Sequence, residues 1–176
     1  MLGEGVSVWT RQDLLGLGAE GVEKLAASGV NQLGIESGVA QELKGPITTA
    51  EKLLEETAGS HVLLVYCKDD KPLGFIKYGE KNLFFYTKKG VVKELQCTCV
   101  LDFYVSTALQ RSGLGSVLFK DMLTRLLLHP NTLAYDRPSP KLVSFLKKHY
   151  GLMNSDLQPN RYAIFPQEFM GGVLAD

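Results

Sequence analysis

The chain has 176 residues, 45% of them apolar and 22% charged, and its 19 Lys and Arg balance its 19 Asp and Glu to a net charge of zero. That length predicts one domain over 1–176, able to bury a core without disulfide or metal staples. Zero net charge gives no whole-molecule field for nucleic acid or an anionic membrane, so neither is expected as a partner and charge-guided binding must come from local patches.

Cys67, Cys97 and Cys99 are an odd number in no metal-ligand spacing, so no metal is expected. No basic stretch followed by an apolar core opens the chain, and no apolar run reaches the ~18 residues of a membrane span. With free thiols, this points to a reducing cytoplasm.

Residues 1–20 carry Gly3, Gly5, Gly16 and Gly18 and read as a short strand over 6–9 followed by loop. Over 20–43 the apolar positions Val22, Leu25, Ala26, Val30, Leu33 and Ala40 follow the helical period. Gly29, Gly34 and Gly38 weaken that helix, so two pieces or one bent helix are expected, stopped at Gly45-Pro46. Thr48 or Thr49 is placed to cap a short helix through Glu55. Residues 61–67, 73–78, 83–87 and 91–105 are β-branched and aromatic, with turns expected at 69–72, 78–82 and 88–90, an antiparallel meander. Helical periodicity returns over 115–128, with Val117, Leu118, Met122, Leu123 and Leu126 on one side and His129-Pro130 as the stop. A short strand at 132–136 follows. Ser139 or Pro140 opens a helix over 141–150 closed by Gly151, and late strands fall around 162–165. The order predicts an α/β fold, helices packed on a mixed sheet.

The informative stretch is the strand ending Asp102-Phe103-Tyr104-Val105, then Gln110-Arg111-Ser112-Gly113-Leu114-Gly115-Ser116, then a helix. Free amides and the dipole at a helix start attract an anion. Gly113 and Gly115 permit close backbone approach to a diphosphate, and Arg111 adds charge. The loop lacks the Lys-Ser/Thr of a P-loop and the full glycine spacing of a Rossmann turn.

Gln-Arg-x-Gly-x-Gly after a strand resembles the pyrophosphate loop of the GCN5-related acetyltransferases. Leu101-Asp102-Phe103-Tyr104-Val105, Leu133-Ala134-Tyr135-Asp136-Arg137-Pro138-Ser139, Phe145-Leu146-Lys147-Lys148-His149-Tyr150, Gly74-Phe75-Ile76-Lys77 and Gln41-x-Leu43-x-x-Pro46-Ile47-Thr48 resemble the α-tubulin N-acetyltransferases, in that family's order from about 41 to 165. The resemblance implies a mostly antiparallel twisted sheet flanked by helices, with a splayed strand pair holding acetyl-CoA as co-substrate and no metal. It implies catalysis by Cys99, Asp136 and Gln41. It implies acetyl-CoA contacts from Phe103, Tyr104, Val105, Gln110, Arg111, Ser112, Gly113, Leu114, Gly115 and Ser116, and from a second segment with Ser139, Lys141 and Lys148. Residues 1–20 match nothing in the family.

The reaction implied is acetyl transfer to a lysine amine of α-tubulin in microtubules, by direct attack in a ternary complex. A lysine amine, with an ordinary pKa of about 10.4, needs a proton acceptor beside the thioester, and Cys99 and Asp136 are the two candidates. Strand periodicity puts Cys97 and Cys99 on one face; the resemblance selects Cys99. Amides near Phe103 to Val105 are candidates to stabilise the tetrahedral oxyanion. Lys52, Lys77 and Lys81 are candidates for a basic face toward acidic tubulin. A monomer in the cytoplasm and cytoskeleton is expected, with a cilium or flagellar axoneme implied by the family. Two alternatives remain: an acetyltransferase for small amines or protein N-termini, and a non-catalytic module that binds microtubules.

Overall fold

The computed structural model describes residues 2–176. Among them, seven strands form one sheet in the order β1-β2-β3-β4-β5-β7-β6. The strands are β1 (Gly5–Thr10), β2 (Val62–Lys68), β3 (Lys71–Tyr86), β4 (Val92–Val105), β5 (Ala134–Asp136), β6 (Asp156–Leu157) and β7 (Tyr162–Ile164). The helices are α1 (Arg11–Leu25), α2 (Asn31–Ala40), α3 (Ala50–Glu55), α4 (Leu114–Leu126) and α5 (Pro140–Tyr150). The backbone divides into two compact units: Met1–Tyr78 with Asp102–Met122, and Gly79–Leu101 with Leu123–Asp176.

In the first unit β1 pairs antiparallel with β2 from Gly5↔Cys67 to Thr10↔Val62, and β2 pairs antiparallel with β3. Asp69 and Asp70, both at positive φ (52° and 58°), make the tight turn between β2 and β3. The core gathers Leu14, Leu25, Val30, Leu33 and Leu53 from the helices with Leu63, Val65, Phe75 and Tyr104 from the strands. The loop expected after 6–9 is instead helix α1. Thr10 starts it with a capping box, its hydroxyl accepting from the Asp13 N–H while Asp13 accepts from the Thr10 N–H. The expected bent helix is α1 and α2 joined by a π-turn (Ala26–Val30), with the bend at Gly29. It stops at Ala40, ahead of Pro46, because Glu42 turns to φ 57° and Leu43 N–H returns to the Gly38 carbonyl at 2.9 Å. Thr49 caps α3, accepting from Lys52 N–H at 3.1 Å.

In the second unit β4 pairs parallel with β5 at Cys99↔Ala134 and Val100↔Tyr135, and that register stops before β4 ends at Val105. β7 pairs antiparallel with both β5 and β6. Phe85, Cys97, Cys99, Leu101, Tyr162, Ile164 and Phe169 form the core. The turn expected at 78–82 is uninterrupted strand. Cross-strand side-chain pairs hold its polar residues in the ladder: Gln96 Nε2 donates to Glu80 at 2.9 Å and Asn82 Nδ2 to Glu94 at 2.5 Å. Ser139 caps α5, Pro140 takes its first position, and Gly151 closes it at φ 65°. On α4 the buried face is Leu114, Leu118, Phe119 and Met122; Val117, expected inside, is exposed.

Candidate active site

After β4, the Ser106 N–H donates to the Leu73 carbonyl at 2.8 Å and a 3-10 turn (Thr107–Leu109) starts the loop. Gln110 folds its carboxamide back onto the Val105 carbonyl at 3.0 Å. Ser112 places both its N–H (3.1 Å) and its hydroxyl (2.5 Å) on the Leu109 carbonyl. Gln110 and Ser112, expected as acetyl-CoA contacts, thus shape the loop with their own side chains. Arg111 and Gly113 sit at φ 72° and 87°, and a side chain at Gly113 would strain that conformation. The first helical bond runs from Val117 N–H to the Gly113 carbonyl at 3.2 Å, so the amides of Leu114, Gly115 and Ser116 precede the ladder. No acidic side chain lies in the first turn of α4, and Arg111 is exposed. Unpaired amides, a helix dipole and one guanidinium fit a diphosphate. Phe103 packs its ring on Phe119 with centroids 6.0 Å apart. Tyr104 turns its ring into the core beside Phe75, which leaves its backbone as the part able to meet a ligand.

Gln41 ends α2, and its carboxamide points inward. Nε2 donates to Asp102 Oδ1 at 3.0 Å and to Ser37 Oγ at 2.8 Å. Asp102 is 5% exposed, in the middle of an apolar strand. Its carboxylate also accepts from Ser37 Oγ (2.9 Å) and Thr48 Oγ1 (2.6 Å). A carboxylate withdrawn from water is tolerable only with such donors. Gly34 makes the approach possible, because a Cβ there would collide with the Thr48 carbonyl. The sequence reading gave Asp102, Ser37 and Thr48 no part in the site. The one available signal was an acidic residue inside Val100-Leu101-Asp102-Phe103.

The second unit holds Cys99 and Asp136. Cys97 and Cys99 share a strand face with their Sγ atoms 3.7 Å apart. The Cys99 thiol is 0% exposed and pushed up, first by its hydrogen bond to Cys97, then by burial and the charges of Cys97 and Asp136, with Lys81 pulling the other way. Cys97 is held below the ordinary thiol value, chiefly by the hydrogen bond from Cys99. Asp136 ends β5 with its side chain 23% exposed and Arg137 Nε 4.0 Å from Oδ1. Tyr162 is its register partner on β7. Burial and the neighbouring Asp136 push the Tyr162 phenol up. The sequence marks Tyr162 only as part of a late strand; the β5–β7 pairing sets it opposite Asp136.

The remaining candidates separate. The Ser139 hydroxyl accepts from Leu142 N–H at 3.1 Å as the α5 cap, while Lys141 and Lys148 lie exposed two turns apart on that helix. Lys77, expected on a basic face, is 6% exposed, and its ammonium donates to the Ile47 carbonyl at 3.0 Å. Lys52 is exposed and reaches the Pro46 carbonyl. Lys81 is half-buried and acts on Cys99. Among the described residues, no cluster of three or more His, Cys, Asp or Glu could hold a metal, and no helix is long and apolar enough to cross a membrane.

A Clostridium acetobutylicum protein described as a predicted acetyltransferase with acetyl-CoA shares the fold, with a TM-score of 0.54 at 10% identity over 86% of this chain and 90% of that one. An integron cassette protein of Vibrio cholerae gives 0.52 at 16% identity, over 86% and 88%. The sequence matches the family described as GNAT acetyltransferase, Mec-17, over residues 9–173, and the chain belongs to that family; the match begins inside the stretch 1–20 expected to lie outside it. It is 43% identical over 140 residues to an alpha-tubulin N-acetyltransferase of Tetrahymena thermophila, covering 80% of this chain and 34% of that protein. It is 44% identical over 143 residues to alpha-tubulin N-acetyltransferase 1 of Danio rerio, covering 77% and 47%. A Phytophthora infestans alpha-tubulin N-acetyltransferase is 43% identical over 134 residues, covering 74% and 75%. The chain therefore spans less than half the length of the first two relatives.

Proposed function

We propose that this protein transfers acetyl from acetyl-CoA to the side-chain amine of a lysine of α-tubulin, in a ternary complex and at microtubules. The observation that carries the reading is the grouping of Cys99 and Asp136 in one unit of a chain that belongs to the Mec-17 family and is over 40% identical to proteins named for this activity. The anion loop supports acetyl-CoA as donor: the amides of Leu114, Gly115 and Ser116 with Arg111 take the diphosphate, and the thioester supplies an acyl group activated for attack.

The amine must shed its proton to attack the carbonyl. Cys99 is a poor acceptor: it is fully buried, and both its bond to Cys97 and the charge of Asp136 hold it as a thiol. Asp136 reaches solvent, and a carboxylate is ordinarily ionised at neutral pH. The proton therefore goes to Asp136, and Cys99 supplies a neutral, apolar wall beside it. Location follows from substrate: the cytoplasmic cytoskeleton, including the axonemes of cilia or flagella, with microtubule stability responding to the lost lysine charge.

The test is incubation with labelled acetyl-CoA and polymerised tubulin, free tubulin dimers or polyamines. Label is expected on α-tubulin, and Asp136→Asn is expected to lower the rate about 10²–10⁴-fold. Label on polyamine with none on α-tubulin rejects the reading.

A further inference from the structure

Asp136 faces Tyr162 across the antiparallel β5–β7 pair, as Tyr135 faces Ala163. Side chains of register partners lie side by side on the same face of a sheet. Tyr162 is 6% exposed and packed in the cluster that contains Cys97 and Cys99. Its backbone is fixed at both ends, the N–H donating to Asn160 Oδ1 at 3.0 Å and the carbonyl accepting from Gln158 N–H at 2.9 Å. Burial in that cluster leaves the ring little freedom to point elsewhere. Burial and the charge of Asp136 both push the phenol up, which sets the two groups beside each other. An ionised carboxylate only accepts, so a bond between them has the phenol as its donor.

We infer that Tyr162 is a positioning residue for acetyl transfer: its buried hydroxyl donates to Asp136, fixes the carboxylate's orientation and holds it ionised, ready to take the proton of the substrate amine. This rests on the assignment of Asp136 as proton acceptor. Other groups near Asp136 include Arg137 on its own segment, with Nε 4.0 Å from Oδ1, and Cys99 on β4; Cys97 acts on Tyr162, and Lys81 on β3 acts on Cys99. Among these only Tyr162 combines strand-to-strand register with a buried donor. A donor to the charged form lowers a carboxyl's proton affinity, so losing it raises that affinity.

The experiment uses Tyr162→Phe, which removes one oxygen and keeps the ring in the core, with folding checked by thermal melting. Two readouts are taken on the whole chain. The first is a carbon-detected NMR titration of the Asp136 carboxyl. The second is the pH profile of kcat/KM with polymerised tubulin, alongside KM for acetyl-CoA. In Tyr162→Phe both the titration and the acid limb are expected to move up by about one pH unit, with KM for acetyl-CoA unchanged. If Tyr162→Phe folds poorly, 3-fluorotyrosine in place of Tyr162 strengthens the donor and moves both downward. Asp136→Asn separates the two levels. If Asp136→Asn is inactive and the Tyr162 variants superimpose on the wild-type profile, this inference fails and the proton-acceptor assignment stands. If Asp136→Asn keeps its activity, that assignment fails and the inference falls with it.

Discussion

Thr48→Val tests whether Asp102 is a desolvated carboxylate held by side-chain donors. Valine keeps the shape of threonine and removes only the hydroxyl, so no cavity opens. Thr48 is 1% exposed, and its Oγ1 lies 2.6 Å from Asp102 Oδ2. Water has no ready route to replace it. Removing a hydrogen bond to a buried charge costs about 1.5–3 kcal/mol, against about 1 kcal/mol for a neutral pair. At ~2–4 °C per kcal/mol for a chain of this size, the melting temperature falls by about 3–12 °C. Urea titration should show a lower midpoint at unchanged slope. Ser37→Ala is the internal comparison. Its hydroxyl donates to Oδ1 and also accepts from Gln41 Nε2 at 2.8 Å, so two bonds go and the loss is larger. A Thr48→Val loss below about 0.5 kcal/mol, or the opposite order of the two variants, refutes the account of Asp102.

The other predictions concern the anion loop and the thiols. Gly113→Ala meets no neighbouring atom, so its effect comes from φ 87° alone; about 1–2 kcal/mol of strain is expected, with acetyl-CoA affinity about tenfold weaker by calorimetry, and unchanged affinity would remove Gly113 from the cradle. Iodoacetamide at pH 8, followed by peptide mass spectrometry, should label Cys97 before Cys99, because the hydrogen bond between them lowers one thiol and raises the other. Cys67, pushed up to about 11 by burial and by Glu4 and Asp70, should lag behind Cys97. Labelling of Cys99 first contradicts the neutral-wall role.

Strand positions were legible where apolar and β-branched residues run together, as in β2 and β4, because burial there is written residue by residue. The caps were legible to within one residue, Thr48 or Thr49 and Ser139 or Pro140, and the structure selects Thr49 and Ser139, each satisfying an amide a few residues on. The polar stretch Tyr78-Gly79-Glu80-Lys81-Asn82 misled, since local composition favours a turn while the partners that keep it extended, Gln96 and Glu94, lie over ten residues away. Residues 11–20 misled in the opposite sense: packing of Leu14 into the core outweighs the low propensity of Gly16, while Gly18 kinks the helix at φ 71°. Lys77 shows the limit of counting charge, because nothing in its neighbours announces that a carbonyl thirty residues earlier in the chain will take its ammonium inside.

β4 supplies buried residues to both units. Cys97, Cys99 and Leu101 alternate into the core of the second unit, and Asp102 and Tyr104 are buried in the first. A strand buried on successive residues reads as a continuous apolar run, and in such a run every polar atom must be matched by a partner from elsewhere in the chain. Asp102 meets that demand with Ser37, Gln41 and Thr48, which ties the end of α2 and the segment before α3 to the strand. Cys97 and Cys99 meet it with each other. Gln41 therefore helps fix where Asp102 and the end of β4 lie within the first unit. Gln41→Glu would set a second carboxylate against Asp102, and repulsion between the two would loosen that tie even though the side chain keeps its length.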